Sequence, residues 1–286
     1  MKSVLSVVRA WVGAVALGLI ATATVQSADY QPKLGIQTWT LRNLNFEEVV
    51  DFAKKHGITH LQMIGSHMNP HAPIEETKAK KAVLDANGLT CYTFGVAGTE
   101  LNMEKNRELF EFAKFMGIKV IVVEPRDFAI LDQLEELVKE YDIKIAIHNH
   151  GIKSLYGNPT VVKALLKHRD MRMGVCMDVG WVTSARFDAA KVFKDYDGRV
   201  YDIHLKDKKV DHTPNGDVAT DTEIGKGDAN YDGLFKVLEE ANWQGVLAIE
   251  TDSRVFAGDP NDFVKEAKSF VDQAFALSLI HISEPT

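Results

Sequence analysis

A single (β/α)8 TIM barrel is the architecture this sequence predicts, and three observations predict it. Eight short β-rich runs alternate with eight segments of helical period from residue 33 onward. The runs are apolar almost throughout, as parallel strands covered by helices are. Five of them end in an ionisable residue, namely Glu124, His148, Asp178, His204 and Glu250, at the end where such a barrel carries its chemistry. No Gly-x-Gly-x-x-Gly follows the first run, which argues against a doubly wound dinucleotide-binding sheet.

In order, the spacing predicts strands over 34–38, 58–64, 89–96, 118–124, 143–150, 172–178, 200–206 and 246–251. The helices that follow them are predicted over 46–56, 74–87, 103–116, 128–141, 159–167, 185–196, 231–242 and 260–275. The joints carry the strongest local signal. Gly57, Gly88, Gly117, Gly198 and Gly245 each stand where a helix ends in a left-handed residue before an apolar strand, and Asp142 takes that place at the remaining joint of this kind. Cys91 and Cys176 fall in the middle of predicted buried strands, so two buried thiols are expected, with a disulfide as the alternative.

The two ends of the chain read differently. Residues 1–28 have Lys2 and Arg9 flanking an apolar run over 10–23, then small residues before Asp29: the pattern of a secretory signal peptide. The run is short for a membrane span, so the expected location is secreted or periplasmic, with no stable span after cleavage. The catalytic domain is placed at 29–275. Residues 276–286 break the helical pattern and read as an atypical tail that resembles an artefact more than a native terminus, outside the fold argument.

Composition narrows the partner. The 286 residues carry a formal net charge of −7 with no basic run, which disfavours nucleic acid and with it a metal-dependent endonuclease on the same barrel. A small molecule is the expected partner, and the oligomeric state is open. Taken singly, a histidine at a strand end is a hydrogen-bonded structural residue and an acid there is a helix cap. Five strand ends meeting at one barrel mouth are another matter: three carboxylates together need a cation among them. Mixed oxygen and imidazole donors suit one divalent ion of Mn, Co, Fe, Zn or Mg, and the expected ligands are Glu124, His148, Asp178, His204 and Glu250.

The motifs Glu124-Pro125, His148-Asn149-His150, Cys176-Met177-Asp178-Val179-Gly180-Trp181, His204-Leu205-Lys206-Asp207, Gly225-Lys226-Gly227-Asp228 and Ile249-Glu250 occur in this order. Together they resemble the sugar phosphate isomerase/epimerase group of xylose-isomerase-like TIM barrels, here as a secreted variant, over nearly the whole of 29–275. The resemblance implies one divalent cation held by strand-end Glu, Asp, His and Glu against adjacent oxygens of a keto or aldo sugar. Asp178, His204 and Glu250 match three of those positions. The fifth-strand position, a Glu that serves epimerases as one of two opposed bases, reads His148 here, and Glu124 one strand earlier is the candidate for the missing carboxylate. Inosose dehydratases resemble this variant.

Chemistry common to these readings is proton removal beside a carbonyl, with the cation stabilising the enediolate as a Lewis acid. Glu250 or Glu124 is the expected base and His150 the acid on the other side. Lys206 is read either as a contact to a substrate oxygen or as an ion pair with Asp178 or Glu250. Trp39 and Trp181 are walls for a sugar ring or packing residues. His67 and His71 read as solvated loop residues, and residues 207–230 as a segment closing over substrate or a plain surface excursion. The expected activity is sugar isomerase or epimerase; the alternative is a lyase or dehydratase on a keto-sugar or keto-glycoside, and a non-catalytic sugar-binding module comes third.

Overall fold

The computed structural model describes residues 30–281, with side chains described through 276. The leader read over 1–28 and residues 282–286 of the tail lie outside these. Among the described residues, no helix is long and apolar enough to cross a membrane.

Eight parallel strands close into a barrel: β1 (Lys33–Gln37), β2 (His60–Met63), β3 (Thr90–Ala97), β4 (Val120–Val123), β5 (Lys144–His148), β6 (Met173–Asp178), β7 (Val200–Leu205) and, after a hairpin, β10 (Val246–Ile249). Neighbours follow chain order, and β10 closes the ring against β1. The two faces of each strand differ. Outward residues such as Ile36, Leu61, Ile121, Ile145, Ile147, Val175, Met177, Ile203, Leu205 and Leu247 are buried in one cluster with the helices. Each such side chain stabilises the fold by roughly 1.5–3 kcal/mol. Inward positions hold small residues low in the barrel, where Val122, Ala146 and Cys176 form a separate small cluster. Other inward positions are polar, Asp202 level with Cys176 and His204 and Asp178 above it; these three and Gln62 are all fully buried. This alternation aims the strand-end groups at the barrel axis.

The helices are α1 (Phe46–His56), α2 (Ile74–Ala86), α3 (Met103–Met116), α4 (Ile130–Tyr141), α5 (Pro159–Leu166), α6 (Val179–Ser184), α7 (Ala189–Asp195), α8 (Tyr231–Glu240), α9 (Arg254–Gly258) and α10 (Pro260–His281). Gly57, Gly88, Gly117 and Gly198 have positive φ as expected, and Asp142 adopts the same left-handed conformation at 53°. The last joint differs. Asn242 is the left-handed residue there, while Gly245 is needed because a Cβ would meet the Trp243 ring. The helix predicted over 185–196 shortens to α7, and the short helix α6 precedes it, the two separated by a turn in which Arg186 has φ 63°. Helix α10 continues to His281, past the point where the sequence pattern ends it. Both cysteines are buried and free. His67, expected in solvent, is buried with Nε2 on the Leu44 carbonyl at 3.0 Å, because the loop after β2 packs against the turn that precedes α1. His71 is exposed and pairs with Glu108.

Residues 207–230 form a built element. Strands β8 (Asp207–Thr213) and β9 (Gly216–Thr222) pair as an antiparallel hairpin, and the Asp207 carboxylate then accepts from the backbone of Gly225, Gly227 and Ala229. Asp221 fastens the hairpin to the barrel. It accepts from Thr251 Oγ1 at 2.8 Å and from the amides of Asp252 and Ser253, and it pairs with the buried Lys208. Asp221→Ala leaves the buried Lys208 only the more distant Asp252 carboxylate at 3.9 Å and removes those bonds, so a stability loss of about 3 kcal/mol is expected, seen as a Tm lower by roughly 10 °C in a thermal melt.

Candidate active site

Four strand ends converge above the barrel axis. His148 ends β5, Asp178 ends β6, His204 lies on β7, and Glu250 follows β10; one ligand atom from each lies within 4.8 Å of all the others. His204 is central. Its Nδ1 is 2.7 Å from Glu250 Oε2, 3.2 Å from His148 Nε2 and 3.8 Å from Asp178 Oδ2. All four residues are buried.

The donor set fits a divalent cation. Asp178 Oδ2 and Glu250 Oε2 are buried yet accept no hydrogen bond of good geometry, although His204 Nδ1 and Lys206 Nζ lie close to them. Two imidazole nitrogens also face each other at 3.2 Å in a hydrogen bond, sharing one proton at the point where the carboxylate oxygens converge. The protonation pattern agrees. Burial by itself would raise the Asp178 carboxyl, but Lys206 and the two imidazoles outweigh it and hold Asp178 well below the usual range. Burial lowers His148, and this prevails, leaving its imidazole neutral and able to ligate. Burial acts the same way on His204, but the surrounding anionic groups reverse it and hold a proton there. A bound cation competes with that proton. Asp178 also caps α6 through Oδ1, which accepts from the Trp181 amide at 2.9 Å.

Lys206 takes the ion-pair option. It is 1% exposed, with Nζ 3.0 Å from Asp178, 3.2 Å from Glu250 and 2.8 Å from Asp252. Three carboxylates around one buried ammonium leave no free donor for substrate, so the reading of Lys206 as a substrate contact is corrected to a fixed counter-charge. Gly180 makes this possible, since a Cβ there would sit 2.7 Å from the lysine Cγ.

Beneath the cluster lies support that the sequence reading missed. Gln62, across the barrel on β2, places Oε1 2.8 Å from His204 Nε2, and Asp202 Oδ2 is 3.6 Å from the same nitrogen. Two acceptors there make Nε2 the donor and leave Nδ1 to face the cluster. Asp202 in turn accepts from Tyr92 Oη at 2.9 Å and from Cys176 Sγ at 3.5 Å. Burial pushes the Cys176 thiol up, so it stays protonated and donates to Asp202. Gln62 carries no charge and so gave no signal as a site residue. Gln62→Leu is expected to weaken cation affinity about 10–100-fold, measured by competition with a chelating dye.

Glu124 and His150 form a second group. Glu124 Oε2 is 2.6 Å from His150 Nδ1 and 4.0 Å from His148 Nδ1, whereas the Nε2 of His148 faces the four-residue cluster. Glu124 therefore sits on the other edge of the His148 ring, apart from Asp178, His204 and Glu250. Burial lowers His150, but the bond and charge of Glu124 outweigh it, so the imidazole is held above its ordinary value. A cavity of about 430 Å³ opens onto both groups, lined by Trp39, His148, His150, Glu250 and Asp252 among others. Trp39 is 42% exposed, donates from Nε1 to Asp252 at 3.2 Å and is flanked by Arg42, which suits a wall. Trp181 is instead half-buried, packed between the His150 ring at 5.6 Å and the Lys208 ammonium at 3.9 Å; it supports His150 and does not line that cavity. Asp252 was legible in the sequence, since it follows Glu250 by two residues as His150 follows His148 and Lys206 follows His204.

A closed parallel barrel with a cation-type donor set at its C-terminal mouth defines a metal-type TIM-barrel enzyme site. The chain belongs to the xylose isomerase-like TIM barrel family, whose model matches residues 50–274. It is 24% identical over 200 residues to an inosose dehydratase from Clostridium perfringens, covering 57% of this chain and 67% of that protein. Among solved structures it resembles an uncharacterized protein from Parabacteroides distasonis, with 26% identity, a TM-score of 0.65, and coverage of 84% of this chain and 98% of that one. It also resembles the IOLI protein with a bound zinc atom, at 15% identity and a TM-score of 0.69, covering 85% and 98% of the two chains.

Proposed function

We propose that this chain is a metal-dependent enzyme that removes a proton beside the carbonyl of a sugar or cyclic keto-polyol and expels water, a dehydratase of the carbon–oxygen lyase class. One observation carries the reading: the Glu124–His150 pair, joined at 2.6 Å, reaches through His150 the same cavity that His148 and Glu250 of the four-residue cluster line. Similarity to inosose dehydratases supports it. When bound, a divalent cation would supply Lewis-acid stabilisation of the enolate; two imidazoles and two carboxylates suit Zn²⁺, Mn²⁺, Co²⁺ or Fe²⁺ better than Mg²⁺.

The chain's own groups supply the rest. Trp39 presents an apolar face to the sugar ring. With Nδ1 engaged by Glu124, His150 has Nε2 left to exchange a proton with substrate, and Glu124 stabilises the imidazolium so formed. Glu250 faces the cluster and is paired with Lys206, so it is assigned as a ligand, and Glu124 with His150 takes the proton-transfer role. Epimerisation would need a second, opposed base. Isomerisation remains the second reading, because it shares the same first proton abstraction. The export pattern of residues 1–28 adds the proposal that the enzyme works in the periplasm or outside the cell.

The test is a screen of keto-sugars and inososes in D₂O with the metal-loaded protein. Product lighter by one water supports dehydration; deuterium at a substrate carbon without mass loss supports isomerisation instead. Turnover that survives complete removal of metal by chelator overturns both.

A further inference from the structure

We infer that the reacting ring carries a second, ring-sized substituent, and that the cleft is built for a substituted sugar in preference to a free monosaccharide. The inference rests on the reading of the 430 Å³ cavity as the place where the sugar reacts, and it deepens that reading by naming the substrate class.

The first observation is room. Beside the 430 Å³ cavity lies a second of about 790 Å³, and the two share Gly65 and Val96 as common wall. Small-ligand sites commonly occupy ~300–1,000 Å³, so a single ring at the four-residue cluster leaves the larger space without contacts. The second observation is placement. Glu124 lines the larger cavity and His150 the smaller, and their 2.6 Å contact lies where the two meet. A substrate spanning both cavities therefore sets its linking atom beside this proton-transfer pair.

Wall chemistry names the substituent. Val96 and Leu155 are 39% and 44% exposed, apolar side chains at the edge of the larger cavity that contribute little to the core. Phe94 is buried behind them, and Tyr156 is fixed by donating from Oη to the Pro125 carbonyl at 2.7 Å. Arg126 lines the same cavity and makes no ion pair or hydrogen bond among the described residues. Apolar side chains interleaved with the free Arg126 guanidinium and with His71, Thr99, Glu100 and Glu124 suit a ring that has an apolar face and hydroxyl groups on its edge, either a second sugar or a phenol-type aglycone.

The experiment uses the full chain loaded with zinc and has two arms. In saturation-transfer NMR with glucose, cellobiose and 4-nitrophenyl β-D-glucopyranoside, the second ring of one or both substituted probes is expected to receive saturation that Leu155→Trp removes. Which probe responds distinguishes a sugar from an aryl group. No saturation of either second ring, or saturation unchanged by Leu155→Trp, overturns the inference. In the kinetic arm, the sugar turned over in the screen above is compared with its glucosyl and 4-nitrophenyl derivatives. The derivatives are expected to have kcat/KM at least about tenfold higher, and Leu155→Trp or Arg126→Ala should erase that advantage while leaving the free sugar unchanged. Equal kcat/KM for free and substituted sugars overturns it as well. Saturation of the second ring without turnover of any sugar counts against the catalytic reading alone, so the two failures are distinguishable.

Discussion

Asp178→Asn is expected to yield a folded protein that has lost its cation and with it turnover. Asparagine keeps an oxygen to accept from the Trp181 amide, so the α6 cap survives. Lys206 retains Glu250 and Asp252 as partners. What changes is Oδ2, the buried atom aimed at the cluster, which becomes an amide donor pointing toward a cation. Changes to outer groups alone weaken metal affinity by about 10–100-fold, so loss of a ligand atom should exceed the upper end of that range. Loss of the Lewis acid removes several kcal/mol of transition-state stabilisation, or on the order of a thousandfold in rate. Elemental analysis, with circular dichroism as the control for folding, checks this result. A folded Asp178→Asn protein that binds zinc like the parent would remove Asp178 from the ligand set.

Glu124→Gln should separate proton transfer from cation binding. Glu124 lies outside the fully buried four-residue group, although with His148 and His150 it forms a second, partly exposed one; with the cation assigned to the buried group, metal content should stay at the parental level. Turnover should drop by roughly 10²–10⁴, the usual contribution of a positioned acid or base. The pH profile should move in a defined direction. Burial pulls the His150 imidazole down and Glu124 more than offsets it; with that charge gone, the largest raising influence is lost while the burial stays. The protonated form of His150 then disappears at a lower pH, and the acidic limb of kcat/KM, which reports the neutral imidazole acting as base, shifts to lower pH. Loss of bound metal from this variant would instead restore Glu124 as a ligand, the role that the sequence pattern suggested for it.

What the sequence by itself determined is the barrel and the identity of its polar mouth. Alternation of apolar runs with helical segments, punctuated by Gly57, Gly88, Gly117 and Asp142, is a local signal, because each left-handed joint depends on its own residues. Asp178, His204 and Glu250 were legible for a related reason: an ionisable residue at the end of an apolar strand has no local partner and stands out. Three things were decided only by tertiary structure. Strand parity together with barrel closure set which edge of His148 faces the cluster, and so put Glu124 with His150 and apart from the other carboxylates. Lys206 became a counter-charge because closure brought Asp178, Glu250 and Asp252 around it. Gln62 lies 142 residues from His204 in the chain yet 2.8 Å from its ring, a contact with no trace in local composition. The hairpin over β8 and β9 belongs with these, since its anchor Asp221 finds its partners on the far side of α8 in sequence. Period and punctuation are properties of neighbouring residues, whereas a site at a barrel mouth is made from strands that meet only when the sheet has closed.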